Sequence, residues 1–245
     1  MKLGDAITRF LDHARLTDSN PSSDPRHASN QAAMLLLTEC FSADEALADI
    51  TRSSLRDFLS RWYLEKPHGS QQADSASAEQ SGGSASASLD MLDSIEQFFS
   101  WTDNQNGTDQ STELAPVLNE LRHSLPRAVQ ITNLLSDAVR AHGGAFTFPE
   151  FLTSFEEGGS SQYDIDVPGS VGAIDGYFRI ARIEGRMIEA EELISEERVW
   201  PIVFPQEVAE ILDTGYILNL ELVRKPAGWQ ITGCGFAFPP GTDIS

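Results

Sequence analysis

Residues 50–66, ITRSSLRDFLSRWYLEK, and their echo at residues 89–101, LDMLDSIEQFFSW, decide the first half of the fold. Leu55, Phe58, Leu59, Trp62 and Tyr63 recur at i, i+3, i+4, i+7 and i+8, one apolar face of an amphipathic helix. Thr51 or Ser53 can cap its start. In the echo Met91, Leu92, Ile95, Phe98 and Phe99 form a similar stripe, with Ser88 placed as N-cap and Asp90 in the first turn.

Working outward, residues 3–17 read as a first helix with Ile7, Phe10, Leu11 and Ala14 on one face. Asp24-Pro25 reads as a cap and first position of a second helix to about Phe41, with Ala33, Leu36, Leu37 and Cys40 inward. Residues 67–86 hold no large apolar side chain, and their Ser, Ala, Gly and Gln content predicts a flexible loop. Beyond the Asn106-Gly107 turn, residues 113–123 and 127–142 read as two more helices, the second begun by Pro126 and stopped by Gly143-Gly144.

The apolar positions then begin to alternate. Strands are expected over residues 163–167, 177–184, 186–193, 199–204, 216–224 and 229–238, with a short helix over 205–212. Glu184-Gly185 and Pro226-Ala227-Gly228 mark hairpin turns. In the fifth strand Leu218, Leu220 and Leu222 should face inward and Asn219 and Glu221 outward. Leaving aside the first short strand, the order is strand, strand, strand, helix, strand, strand. The expected fold class is therefore α+β in two domains. Residues 1–145 form an all-α helical bundle, and residues 146–245 a small acidic antiparallel β-barrel, OB-like or SH3-like, with one short helix.

The helical half resembles the core-binding domain of tyrosine recombinases, the phage-type integrases. The matching positions are Ile50-Thr51, Leu55, Phe58-Leu59 and Phe98-Phe99-Trp101, and the resemblance spans about residues 1–105. It implies a helical domain that clasps DNA through basic side chains and helix N-termini. Arg52 and Arg56, one turn apart, are the positions that would meet phosphates. The long loop at 67–86 departs from that family. The Arg, Lys, His, Arg and Tyr set of its helical catalytic domain has no counterpart in the β-rich half, so no catalytic residue is carried over.

Charge opposes the nucleic-acid reading. The chain has 17 basic and 37 acidic residues, a formal net charge of −20. Residues 1–66 carry 8 basic and 10 acidic side chains, residues 87–145 carry 3 and 8, and residues 146–245 carry 6 and 17. None of these offers the basic stripe of a nucleic-acid binder. Tyr177, Trp200, Tyr216, Trp229 and Phe236 could stack on bases, yet they read more simply as barrel core or strand edges.

Reactive constellations are sparse. Residues 143–157 lack the oxygen ligands of a calcium loop. The run Glu189, Glu191, Glu192, Glu196 and Glu197 reads as a solvated face, with metal or acid–base chemistry the sharper alternative. None of the five histidines pairs with another at helical spacing, and Cys40 and Cys234 fall in different halves. No metal site, disulfide or cofactor is expected. No apolar run is long enough to cross a membrane, and the N-terminus lacks a signal-peptide pattern, so a cytoplasmic protein without membrane contact is expected. The reading is a non-enzymatic interaction or regulatory protein. It would bind a protein partner through its acidic β domain or the groove between domains. The alternative is a nucleic-acid-associated protein acting through Arg52 and Arg56.

Overall fold

The computed structural model describes residues 1–17, 25–66, 84–141, 145–146, 172–226 and 228–244. The expected strand at 163–167 and most of the 67–86 loop lie outside them. The chain is α+β, with helices first and a sheet after. It divides into two compact units, Met1–Pro126 and Arg127–Ser245.

In the first unit α1 (Leu3–Thr17) and α2 (Pro25–Cys40) lead, and a 3-10 turn Leu47–Asp49 brings the chain to Ile50 and Thr51. Thr51 caps α3 (Arg52–Asp57) through a reciprocal box: its side chain accepts from the Ser54 amide, and the Ser54 hydroxyl accepts from the Thr51 amide. The helix widens into a π turn over Phe58–Trp62 and ends in α4, Tyr63–Glu65. Leu55, Phe58, Leu59 and Tyr63 are buried as expected, and Trp62 is half-buried under the Lys66 ammonium, 4.3 Å above its ring.

Helix α5 (Ala85–Asn106) starts ahead of the expected residue 89, on a Ser84 cap rather than on Ser88. Ser88 instead lies buried with its hydroxyl on the Ala85 carbonyl. Phe10, Phe98 and Phe99 stack in the core, with ring centroids 5.5 Å apart for Phe10 and Phe98. Gly107 ends α5 at φ 64°.

Helix α6 (Gln110–Ala141) corrects the expectation of two helices. It runs through Pro116 and Pro126 without a break. A proline inside a helix forfeits one hydrogen bond and costs about 3 kcal/mol. Leu121, Leu125, Ala128 and Val129 on either side of Pro126 are all buried. Burial of that continuous apolar stripe outweighs the proline. The second half of α6, from Arg127, counts with the sheet.

The second unit holds β1 (Ala145–Phe146), β2 (Ala173–Glu184), β3 (Met187–Glu192), β4 (Arg198–Val203), α7 (Gln206–Ile211), β5 (Ile217–Lys225) and β6 (Gly228–Phe238). Strand β2 pairs antiparallel with β3 and with β5, β3 with β4, and β5 with β6, while β4 and β6 pair in parallel at Ile202–Trp229 and Val203–Gln230. Each of the five long strands thus has two neighbours, and β1 adds in parallel beside Gly233 and Cys234.

Leu218, Leu220 and Leu222 are fully buried as the alternation requires. Asn219 and Glu221 are half-buried, because their side chains lie over Gly235 and Gly233 of β6, where an added Cβ would fall inside van der Waals contact with them. Cys234 is buried against α6, where Ser136 hydrogen-bonds its thiol, and burial pushes that thiol up to about 11.

Candidate functional site

The second unit presents an outer face on β2, β3 and β4 and a cavity beside it. Strand alternation puts Met187 and Glu189 of β3 on the side opposite the buried Ile188 and Ala190. On β4 the ladder slips by one residue between Ile188 and Ala190, so that Trp200 and Pro201 stand together between the buried Val199 and Ile202. This bulge keeps Trp200 half-exposed instead of sending it into the core.

Arg182 covers that ring and is itself held in a chain of ion pairs. The Arg182 guanidinium carbon lies 4.7 Å from the Trp200 ring centroid. The same guanidinium pairs with Glu184 at 3.0 Å and with Glu189 at 3.0 Å, and Arg198 reaches Glu189 from the other side at 3.1 Å. At the end of the ladder Met187 and Val203 stand opposite each other, 44% and 42% exposed. The face therefore combines an indole under a cation, a bridging carboxylate and an exposed aliphatic pair.

The cavity, of about 640 Å³, opens beside Val203 and is lined by Leu135 and Val139 of α6, Phe204, Trp229 and Ile231, with Arg186, Lys225 and Glu207 among its polar groups. Its rim is fixed by the backbone. The Phe204 amide donates to the Arg186 carbonyl at 3.0 Å, and the Arg186 Nε donates to the Phe204 carbonyl at 2.9 Å. Gly228 holds φ 135°, and a Cβ there would sit 2.7 Å from the Pro201 carbonyl oxygen. Only glycine lets β6 start this close to β4 and set Trp229 at the opening.

The residues singled out in the sequence are placed as follows. The Arg52 Nε donates to the Glu113 carbonyl at 2.7 Å, and Arg56 makes a two-pronged pair with Glu120. Both arginines of the nucleic-acid reading are thus engaged within the first unit. The acidic run disperses: Glu189 pairs with Arg182 and Arg198, Glu191 with Arg179, and the buried Glu192 accepts the Ile194 amide at 3.0 Å. Among the described residues no group of three or more His, Cys, Asp or Glu side chains is placed to hold a metal ion. Of the candidate aromatics, Tyr216 and Phe236 are buried, whereas Tyr177, Trp200 and Trp229 keep partial access to solvent.

Sequence reasoning missed Met187, Val203, Arg186 and Lys225. The available signal was the pair Arg224-Lys225, adjacent cations beside a turn in an otherwise acidic half. Among the described residues no helix is long and apolar enough to cross a membrane. The chain matches no protein-family model, no curated protein and no solved structure.

Proposed function

We propose that the protein is a non-enzymatic interaction protein that binds a protein partner through the outer face of β3 and β4. The observation that carries this reading is the Met187–Val203 pair, two apolar side chains opposite each other and each more than two-fifths exposed, near the Arg182-covered Trp200. Met, Trp and Arg are enriched where proteins meet, and contiguous exposed apolar side chains rimmed by charge mark such surfaces. Glu189, held between Arg182 and Arg198, supplies a polar rim that is already ordered before binding.

The same reading takes the five long strands as an OB-like barrel. Its support is the pairing order, in which β2 meets both β3 and β5 and β4 meets β6, with α7 between the third and fourth long strands. OB-folds bind ligands on the face of their second and third strands, and β3 and β4 hold those positions here. For the first unit, the recombinase core-binding resemblance is proposed for the fold alone. Of its matching residues, Ile50, Leu55, Phe58, Leu59, Phe98 and Phe99 are buried, Trp101 is half-buried and Thr51 is the exposed cap of α3.

The test is capture of partners by the full chain from its native lysate after nuclease treatment, in parallel with Met187→Asp. A partner retained by the wild type and lost by the variant supports the face. Retention by both, or recovery that vanishes with nuclease, overturns it. The second outcome turns attention to nucleic acid.

A further inference from the structure

The cavity beside Trp229 carries an inference separate from the outer face. In the second unit Arg127, Arg140, Arg179, Arg182 and Arg198 each pair with a carboxylate. Arg186, Arg224 and Lys225 have no carboxylate partner among the described residues. In a chain of net charge −20, three cations without one are unusual, and they gather at one place. Arg186 and Lys225 line the cavity, and Arg224 lies over the Trp229 ring, its guanidinium carbon 5.6 Å from the centroid. The cross-strand pairs Arg224–Trp229 and Lys225–Gly228 fix that grouping.

The polar groups also set a charge. Among the described residues Arg186 and Lys225 contribute two positive charges to the lining and Glu207 one negative charge, which leaves a single positive charge beside Leu135, Val139, Phe204 and Ile231. Lys225 is half-buried and Arg186 exposed, so Lys225 is the cation whose desolvation a ligand carboxylate offsets. The acidic field of the whole chain opposes polyanions at long range and tolerates one charge far better than several. The volume of about 640 Å³ falls within the range of small-molecule sites, which are mostly apolar with a few placed polar groups.

We propose that this cavity binds an amphipathic monoanion: a small carboxylate whose aliphatic or aromatic body lies against Leu135, Val139, Phe204 and Trp229 and whose head meets Lys225 and Arg186. Lys225 is the specificity-determining residue. Arg186 is also tied to the Phe204 carbonyl and acts as a fixed part of the rim.

Calorimetric titration of the full chain with decanoate and decyltrimethylammonium below their micellar concentrations, and with decanol below its solubility limit, tests the proposal. Decanoate is expected to bind once per chain, at least about tenfold more tightly than decanol, as a charge-assisted hydrogen bond implies. Lys225→Gln should reduce decanoate affinity about tenfold and leave decanol unchanged. Ala138→Phe, checked for folding by circular dichroism, should obstruct the cavity wall and weaken both. Met187→Gln, a neutral change on the outer face, should leave decanoate affinity intact, so failure here and failure of the partner reading are separable. Absence of decanoate binding, equal affinity for decanol, or indifference to Lys225→Gln overturns the proposal. Tighter binding of an oligothymidylate than of decanoate also overturns it and assigns the cations to nucleic acid.

Discussion

The Thr132 hydroxyl of α6 accepts the backbone amide hydrogen of Ala237 in β6 at 2.9 Å, in a site where both residues are buried. The same hydroxyl donates to the Ala128 carbonyl at 3.0 Å, so its hydrogen is committed and its lone pair is oriented toward the strand. Thr132→Val keeps the shape and leaves the Ala237 amide without a partner. The expected loss is about 1–3 kcal/mol. Urea denaturation should show a lower midpoint with an unchanged slope, and Thr132→Ser should retain most of the stability.

Gly228 and Gly107 both have positive φ, yet their substitution should differ in cost. At Gly228 the φ of 135° and the Pro201 carbonyl oxygen 2.7 Å from an added Cβ act together. At Gly107 φ is 64° and a Cβ would meet open space. Gly107→Asn should cost well under about 1 kcal/mol, since Asn tolerates the left-handed region. Gly228→Ala should cost several times as much and disturb the Trp229 fluorescence spectrum. Thermal melts of the two variants side by side check the order.

The Arg56–Glu120 pair is half-exposed and two-pronged. Glu120 holds the Arg56 guanidinium above its ordinary pKa, and Arg56 in turn holds the Glu120 carboxyl below its own. A lowered carboxyl pKa contributes stability that is present above the unfolded value and lost as pH falls through the folded one. Its benefit is thus complete at neutral pH and disappears in acid below the usual carboxylate range. A double-mutant cycle of Arg56→Ala and Glu120→Ala should give a coupling of about 0.2–1 kcal/mol at pH 7, reduced by salt and lost as pH falls through the lowered Glu120 pKa.

At the alkaline end burial governs. Cys234 is raised to about 11 and Tyr216 to about 12 by desolvation. An acid whose pKa rises on folding gives up stability as pH climbs from its unfolded value to its folded one. Stability should therefore fall between about pH 9 and 12, and Cys234→Ala should remove part of that slope. At pH 8 the native Cys234 thiol should react with iodoacetamide far more slowly than the same thiol in urea, which mass spectrometry of the alkylated peptide reads directly.

Much of the fold is legible in the residues themselves. The period of Leu55, Phe58, Leu59 and Tyr63 marks a buried helical face, and that of Leu218, Leu220 and Leu222 an inward strand face. Pro126 misled, because its local penalty is visible in sequence while the burial of Leu125 and Val129 that overrides it is not. Ala85 to Ser88 escaped notice as helix because no large side chain announces a period there; a Ser84 cap and the burial of Ser88 hold it. The functional candidates were hidden for another reason. Arg186, Lys225 and Trp229 are separated by whole strands, and only the pairing of β6 with both β4 and β5 gathers them.

Gly233 and Gly235 leave β6 without side chains on the positions that Glu221 and Asn219 cover. Should β6 slide by one residue along β5, Cys234 or Phe236 would be driven beneath those side chains, and Glu221 and Asn219 would have to move aside. The two glycines thus act as a ratchet: residues that on propensity alone weaken a strand are what prevent this one from mispairing, and they give a β-rich acidic chain a built-in guard against the slipped hairpins from which aggregation starts.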